Sequence, residues 1–149
     1  LGPGYRMLIA GKGDSNYISE LKQKASGLTV EFSGFVSLPD FFESVDMLAV
    51  PSWEEPFGIV LLEAMAAGIP VIATSRGGPL DIITSPLHGL LVPPRDPGAL
   101  ADAIRALASD ENRRTSIVTN ARRRVATNFA IQNVVSRIED FYRCVTMRS

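Results

Sequence analysis

The 149 residues suit one domain, and 46% apolar composition is ordinary for a chain that buries a core. A net charge of −1 leaves no global field of the kind that nucleic-acid partners require. Cys144 is the only cysteine, which excludes an internal disulfide framework and fits a reducing, cytoplasmic compartment.

The charge is uneven along the chain. Residues 1–110 hold 7 Lys and Arg against 13 Asp and Glu, a net of −6. Residues 111–149 hold 8 Arg against 3 acids, a net of +5. That basic segment reads as a solvated face of arginine-rich helices, with an anionic partner or a peripheral membrane contact as the alternative. No apolar run approaches the ~18 residues of a membrane span. No signal peptide is visible. The chain opens on Leu1 rather than Met and reads as part of something longer.

In chain order, residues 5–10 form a short apolar run ending at Gly11, the pattern of a buried strand. "GKGD" turns the chain, residues 17–26 are helical in composition, and residues 28–35 read as a second strand. A short helix over 39–45 leads to a third buried strand, "DMLAVP", at 46–51. Residues 58–67 are rich in good helix formers, with Gly68 at a suitable terminating position. "PVIATS" at 70–75 is a fourth strand, broken by Gly77 and Gly78, and residues 89–92 offer a fifth. Asp96 is an N-cap with Pro97 at the first helical position. Ala99, Leu100, Ala103, Ile104 and Leu107 give the following helix its apolar face. Residues 110–128 are helical and arginine-rich. A last helix carries Ile131, Val134, Val135, Ile138, Phe141, Tyr142 and Val145 on one stripe, and Cys144 reads as packing there.

Short β-branched runs alternating with helices predict an α/β fold: a Rossmann-like parallel sheet with helices on both faces, as one domain over 1–149. In such sheets ligands bind beyond the carboxyl ends of the strands. That singles out the loops at 11–16, 52–58 and 75–80.

The second of these opens "SWEEPFGIVLLEAMAAG". Glu63 is the only charge in a helix that is otherwise apolar all round and so reads as buried. A bare buried carboxylate is expensive, so it must pair with a structural partner, reach an opening or bind something. Glu55 precedes Pro56, which biases it out of the helical region and onto the entry loop. Eight residues at helical rise put the two carboxylates roughly 12 Å apart. That is wide for a glycosidase pair, which stands ~5–9.5 Å apart, and suits one elongated ligand held at both ends. Between them the amides of Phe57, Gly58 and Ile59 are free at a helix N-terminus, whose dipole favours an anion. A diphosphate on those amides, with hydroxylated rings at Glu55 and Glu63, describes a nucleotide sugar.

"EPFGIVLLE" resembles the E-x7-E motif of retaining GT-B glycosyltransferases of the family 4 group. The surrounding patches are similar as well: "FSGFV", "DMLAVPS", "EAMAAGIPVIAT", "GG" and "HGLLVPPRDPGALADAI". Together they cover about residues 5–110, most of the donor-binding C-terminal domain of such enzymes. The resemblance implies that Glu63 binds the donor ribose, Glu55 meets the transferred sugar, and the amides of Phe57, Gly58 and Ile59 hold the phosphates. Backbone at Val36 contacts the base. Lys12 approaches the nucleotide, either favouring phosphate or simply facing solvent. The expected substrate is a UDP-sugar, with GDP-sugar second, and no cofactor is expected. No Asp-x-Asp pair or His/Cys cluster has metal-ligand spacing, so no metal is expected. The nucleophile is a hydroxyl of a sugar or lipid-linked sugar acceptor.

Departures accompany the likeness. Asp81 stands where the family has Glu. The "G-R…K-G" segment that neutralises the donor phosphates does not precede residue 5. The acceptor domain is absent, so the isolated chain is expected to be inactive, in a pathway of cell-surface polysaccharide or glycolipid synthesis. The alternative is a sugar-nucleotide binding module without catalysis. A dehydrogenase-like dinucleotide domain fails at "GKGDSN", which lacks the third glycine. His88 reads as structural or surface, and Trp53 as a packing residue at the border of the site.

Overall fold

The structure is a computed structural model that describes residues 4–146. Residues 1–3 and 147–149, with Arg148 of the basic segment, lie outside the described residues. The chain divides into two units, Leu1–Val45 and Asp46–Ser149.

The first unit contains β1 (Met7–Ala10), α1 (Ser15–Lys24), β2 (Val30–Gly34) and α2 (Leu38–Glu43). β1 and β2 pair in parallel, Met7 opposite Val30 and Ile9 opposite Phe32. Asp14 caps α1, its carboxylate accepting the amides of Asn16 and Tyr17 at 2.9 and 3.1 Å. Phe42 of α2 is the buried side chain of this unit among the described residues.

The second unit contains β3 (Leu48–Val50), α3 (Ile59–Ala67), β4 (Val71–Thr74), α4 (Pro79–Ile82) and β5 (Leu90–Val92). α5 (Pro97–Ser109), α6 (Glu111–Asn128) and α7 (Ile131–Thr146) follow. Its sheet has the order β3-β4-β5, parallel throughout. All four residues of the central β4 are buried, as a strand covered on both faces must be. Leu61 and Met65 of α3, Ile82 of α4, Leu107 of α5 and Ile117 of α6 complete the core around Ile72. Asp96 caps α5 as its sequence position predicts, accepting the Ala99 amide at 2.8 Å.

The fold class is therefore α/β with parallel sheets flanked by helices. The strands form two sheets, however, where the sequence predicts one. Strand–helix alternation dictates parallel pairing but does not name each strand's neighbour. α4 is the one element absent from the sequence-based expectation, since four residues carry too little periodicity to register.

The arginine-rich helix departs most from its expectation. Arg114 donates to the carbonyls of Leu107 and Ala108, at 2.6 and 2.8 Å, at the end of α5. Arg122 donates to Ala66 and Ala67, at 3.3 and 2.7 Å, at the end of α3. Arg124 donates to Asp81 and Ile82, at 2.6 Å each, at the end of α4. The last turn of any helix has carbonyls without internal partners and the negative end of its dipole. Each of these three guanidiniums satisfies such carbonyls on a different helix. α6 is thus a fastener, not only a solvated face.

α7 keeps its apolar stripe exposed, including Ile131, Val135, Ile138, Phe141, Tyr142 and Val145. Cys144, expected to pack, is exposed with it. Among the described residues its side-chain hydrogen bonds to the rest of the fold are at its root, where the Asn133 side chain donates to the Ala126 and Thr127 carbonyls of α6 at 3.0 and 2.8 Å. No helix among the described residues is long and apolar enough to cross a membrane.

His88 is half-buried, with Nδ1 3.3 Å from the Thr84 hydroxyl. Burial, reinforced by the charges of Arg124 and Arg123, holds its pKa below the ordinary histidine value. The unfolded chain then binds a proton more readily than the folded one, so stability is retained above about pH 6.5 and lost as pH falls through the folded value. Urea unfolding across that range is expected to show the decline in the wild type and a flatter profile in His88→Asn.

Arg124→Gln leaves two helix-end carbonyls unsatisfied and is expected to cost about 1–3 kcal/mol. Arg113→Gln, on the same helix but without a side-chain partner among the described residues, should stay within about 0.5 kcal/mol of wild type. Equal urea midpoints for the two variants would remove the fastening role.

Candidate functional site

The segment between β3 and α3 is held at several points. The Thr74 hydroxyl, at the end of β4, donates to the Ser52 carbonyl at 2.6 Å. The Gly78 amide donates to the Glu55 carbonyl at 2.9 Å. Gly77 and Gly78 lie so close to this segment that a Cβ on Gly77 would collide with the Glu55 carbonyl oxygen and one on Gly78 with the Phe57 backbone. The double glycine therefore does more than break the strand. It permits two backbones to touch, and the contact fixes where Glu55 stands.

Gly58 then turns into α3 with φ of 93°, a left-handed conformation that suits glycine. It is buried, and a Cβ there would stand 3.4 Å from Cγ of Glu55. The Glu55 side chain thus lies beside the helix mouth, half-buried. α3 has no side-chain cap. Among the described residues, the amides of Phe57, Gly58 and Ile59 find no acceptor. Three free donors, one dipole end and one adjacent carboxylate therefore share a small volume.

Glu63 requires a correction. It is exposed, not buried, so no structural partner is needed to offset desolvation. α3 buries Leu61, Ala64 and Met65 and exposes Ile59, Glu63, Ala66 and Ala67. Those positions share one face at helical spacing. The sequence looked apolar all round because the open face is built from Ile and Ala. Ile59 is 62% exposed and Phe57 47%, so apolar surface flanks the free amides.

Of the seven residues singled out in the sequence, Glu55, Phe57, Gly58, Ile59 and Glu63 are thus gathered on the second unit. Lys12 and Val36 belong to the first. Lys12 Nζ stands 5.4 Å from the centroid of the exposed Phe35 ring. Val36 is half-buried and helps line an open cavity of about 360 Å³ with Leu8, Ser33 and Phe41.

Two residues at this rim escaped the sequence. Arg76 and Arg95 place guanidinium carbons 4.3 and 3.7 Å from the centroid of the Trp53 ring. Trp53 is 44% exposed and is a stacking platform, not merely a packing residue. A lone arginine in each of two distant loops carries no signal until the fold brings the loops together. Among the described residues, no group of three or more His, Cys, Asp or Glu side chains is placed to hold a metal.

The profile of the glycosyl transferases group 1 family matches residues 1–124. The chain belongs to that family. It is 37% identical over 143 residues to an uncharacterized glycosyltransferase of Methanocaldococcus jannaschii, covering 93% of this chain and 37% of that protein. It is 32% identical over 150 residues to the lipopolysaccharide core biosynthesis mannosyltransferase LpsB of Rhizobium meliloti, covering 94% of this chain and 43% of that one. Among solved structures, Anabaena HepE in complex with UDP-glucose superposes with a TM-score of 0.86 at 28% identity, covering 96% of this chain and 42% of that chain. The fold is that of a C-terminal GT-B glycosyltransferase domain. The chain spans about two-fifths of the length of these relatives.

Because Gly78 has φ of −52°, alanine fits its backbone conformation and the collision with Phe57 is the only penalty. Gly78→Ala is expected to lose about 1–3 kcal/mol by overpacking. Gly13→Ala, whose added carbon would make ordinary contacts with Ile18 at 3.7 and 3.8 Å, should change little. Chemical denaturation of both variants measures the difference.

Proposed function

We propose that this chain binds the nucleotide-sugar donor of a retaining glycosyltransferase of the family 4 group, with a UDP-sugar as the donor. The observation that carries this is the set of unsatisfied amides at Phe57, Gly58 and Ile59 beside Glu55, with Glu63 on the exposed face of the same helix. The diphosphate sits on those amides, where donors and dipole are already oriented and cost no reorganisation. Glu63 accepts from the ribose hydroxyls. Glu55, whose side chain lies along Gly58, accepts from a hydroxyl of the transferred sugar. This is the E-x7-E arrangement. Support comes from the UDP-glucose bound by HepE, which is 28% identical to this chain.

Exposure of Glu63 strengthens this role over a structural one, since a carboxylate free of partners is available to a ligand. Transfer itself uses an acceptor hydroxyl as nucleophile and needs the acceptor-binding part of such a protein, so this chain alone binds without transferring. The LpsB likeness favours a place in cell-surface polysaccharide or glycolipid synthesis. A cytoplasmic enzyme would touch a membrane through the other arginines of its basic segment, because Arg114, Arg122 and Arg124 are engaged with helix ends.

Calorimetric titration with UDP, GDP and ADP is expected to show saturable binding with UDP preferred. Glu63→Gln should weaken UDP about tenfold, equivalent to roughly 1.4 kcal/mol, and leave the unfolding midpoint unchanged. Negligible heats for all three nucleotides, or unchanged affinity in the variant, would sink the assignment. Transfer of labelled sugar by the chain alone would overturn its inactivity.

A further inference from the structure

Trp53, Arg76 and Arg95 lie on the loops that follow β3, β4 and β5. Parallel strands deliver these loops to one end of the sheet, the carboxyl end, where α/β folds bind ligands. Both guanidiniums stand over the same indole. Their distances to its centroid add to 8.0 Å, the most that can separate the two guanidinium carbons. Among the described residues neither arginine forms an ion pair or a side-chain hydrogen bond with a carboxylate.

A cation over an indole face gains from the ring quadrupole. Two cations on one ring also repel each other, and among the described residues no carboxylate pairs with either. Arg95 pays a second penalty. It is the non-glycine residue with a positive φ, 59°, among the described residues. Such a conformation persists where the surroundings impose it and is a pointer to function when observed. Stacked guanidiniums keep their in-plane N–H groups free, a fork that matches a planar carboxylate or a phosphate. An oxyanion bridging the pair removes the repulsion and uses the free donors. Trp53 is two residues from Glu55, so that oxyanion would enter beside the sugar-binding carboxylate.

We infer that Trp53, Arg76 and Arg95 form a subsite for an anionic group, phosphate or carboxylate, carried by a sugar substrate and distinct from the donor diphosphate. The cluster's geometry stands by itself; placing the sugar at Glu55 rests on the donor-site assignment above.

Trp53 is the only tryptophan, so tryptophan emission, excited selectively over the three tyrosines, reports on this cluster. The chain is titrated with a hexose 6-phosphate, a hexuronate and the neutral hexose, each at constant ionic strength set with potassium chloride. A saturable change in emission is expected with the phosphate or the uronate, and which of the two responds identifies the anion; the neutral hexose should give none. Arg95→Gly suits the left-handed backbone and removes the guanidinium without strain. It and Arg76→Gln should each raise the midpoint of the titration at least tenfold, with UDP affinity unchanged and the urea midpoint not lowered. Arg95→Lys, which keeps the charge and loses the fork, should fall between. Glu63→Gln should weaken UDP and leave the anion response intact, so loss of nucleotide binding alone sinks only the donor assignment. Equal responses to all three sugars, no saturable response to either anion, a response to UDP alone, or variants that titrate like wild type would each overturn the subsite.

Discussion

The Glu55 carbonyl accepts the Gly78 amide, and the two loops that meet there touch backbone to backbone. Much of the second unit's functional end depends on that contact. It sets the direction in which the chain leaves β3, and so the point at which Gly58 swings into α3. It also places Arg76 beside the loop that carries Trp53, since Arg76 immediately precedes the glycine pair. A side chain at position 77 or 78 would separate the loops, moving the carboxylate away from the free amides. The geometry of the site is therefore enforced by an absence of atoms as much as by the residues with chemistry.

Behind that end, α6 ties down α3, α4 and α5 through guanidinium–carbonyl contacts. The chain's charge asymmetry takes on a physical meaning here. Helix C-termini present partial negative charge inside the fold, and a helix bearing fixed cations supplies the complement. α3 in particular is held at both ends by unlike means: its C-terminal carbonyls are satisfied by Arg122, whereas its N-terminal amides are left open. One end of the helix is closed for stability, and the other is available for recognition.

The legible parts of this molecule are those whose cause is local. Asp96 followed by Pro97 announced the start of α5, and the unbroken apolar run at β4 announced a strand covered on both sides. Alternation of strands and helices announced parallel pairing. Glu55, Pro56 and Gly58 announced a helix mouth with free amides. What stayed hidden depends on distant partners. Arg122 finds its carbonyls 55 residues away, and Arg124 finds its own more than 40 residues away, so the basic segment resembled a solvated face. Glu63 reads as buried in the sequence because its neighbours on the open face, Ile59, Ala66 and Ala67, are apolar yet exposed. Pattern reports residue chemistry, and here the open face of α3 is apolar. Arg95 was invisible for another reason, since its significance lies in a backbone angle and in a tryptophan 42 positions earlier.

The guanidinium fastening has a consequence for how the molecule responds to denaturants. Guanidinium ion is itself a free, mobile version of the group that closes α3, α4 and α5. As a salt it screens those contacts, and as a ligand it competes for the same carbonyls. Urea, being neutral, does not screen them, and it competes for the carbonyls without the charge that strengthens the arginine contacts. Ordinary domains unfold in guanidinium chloride at roughly half the urea midpoint, because its slope is about twice as steep. In this chain the two denaturants attack unequal parts of the fold, and the ratio of their midpoints reports how much of the stability resides in the arginines of α6 instead of in the apolar core.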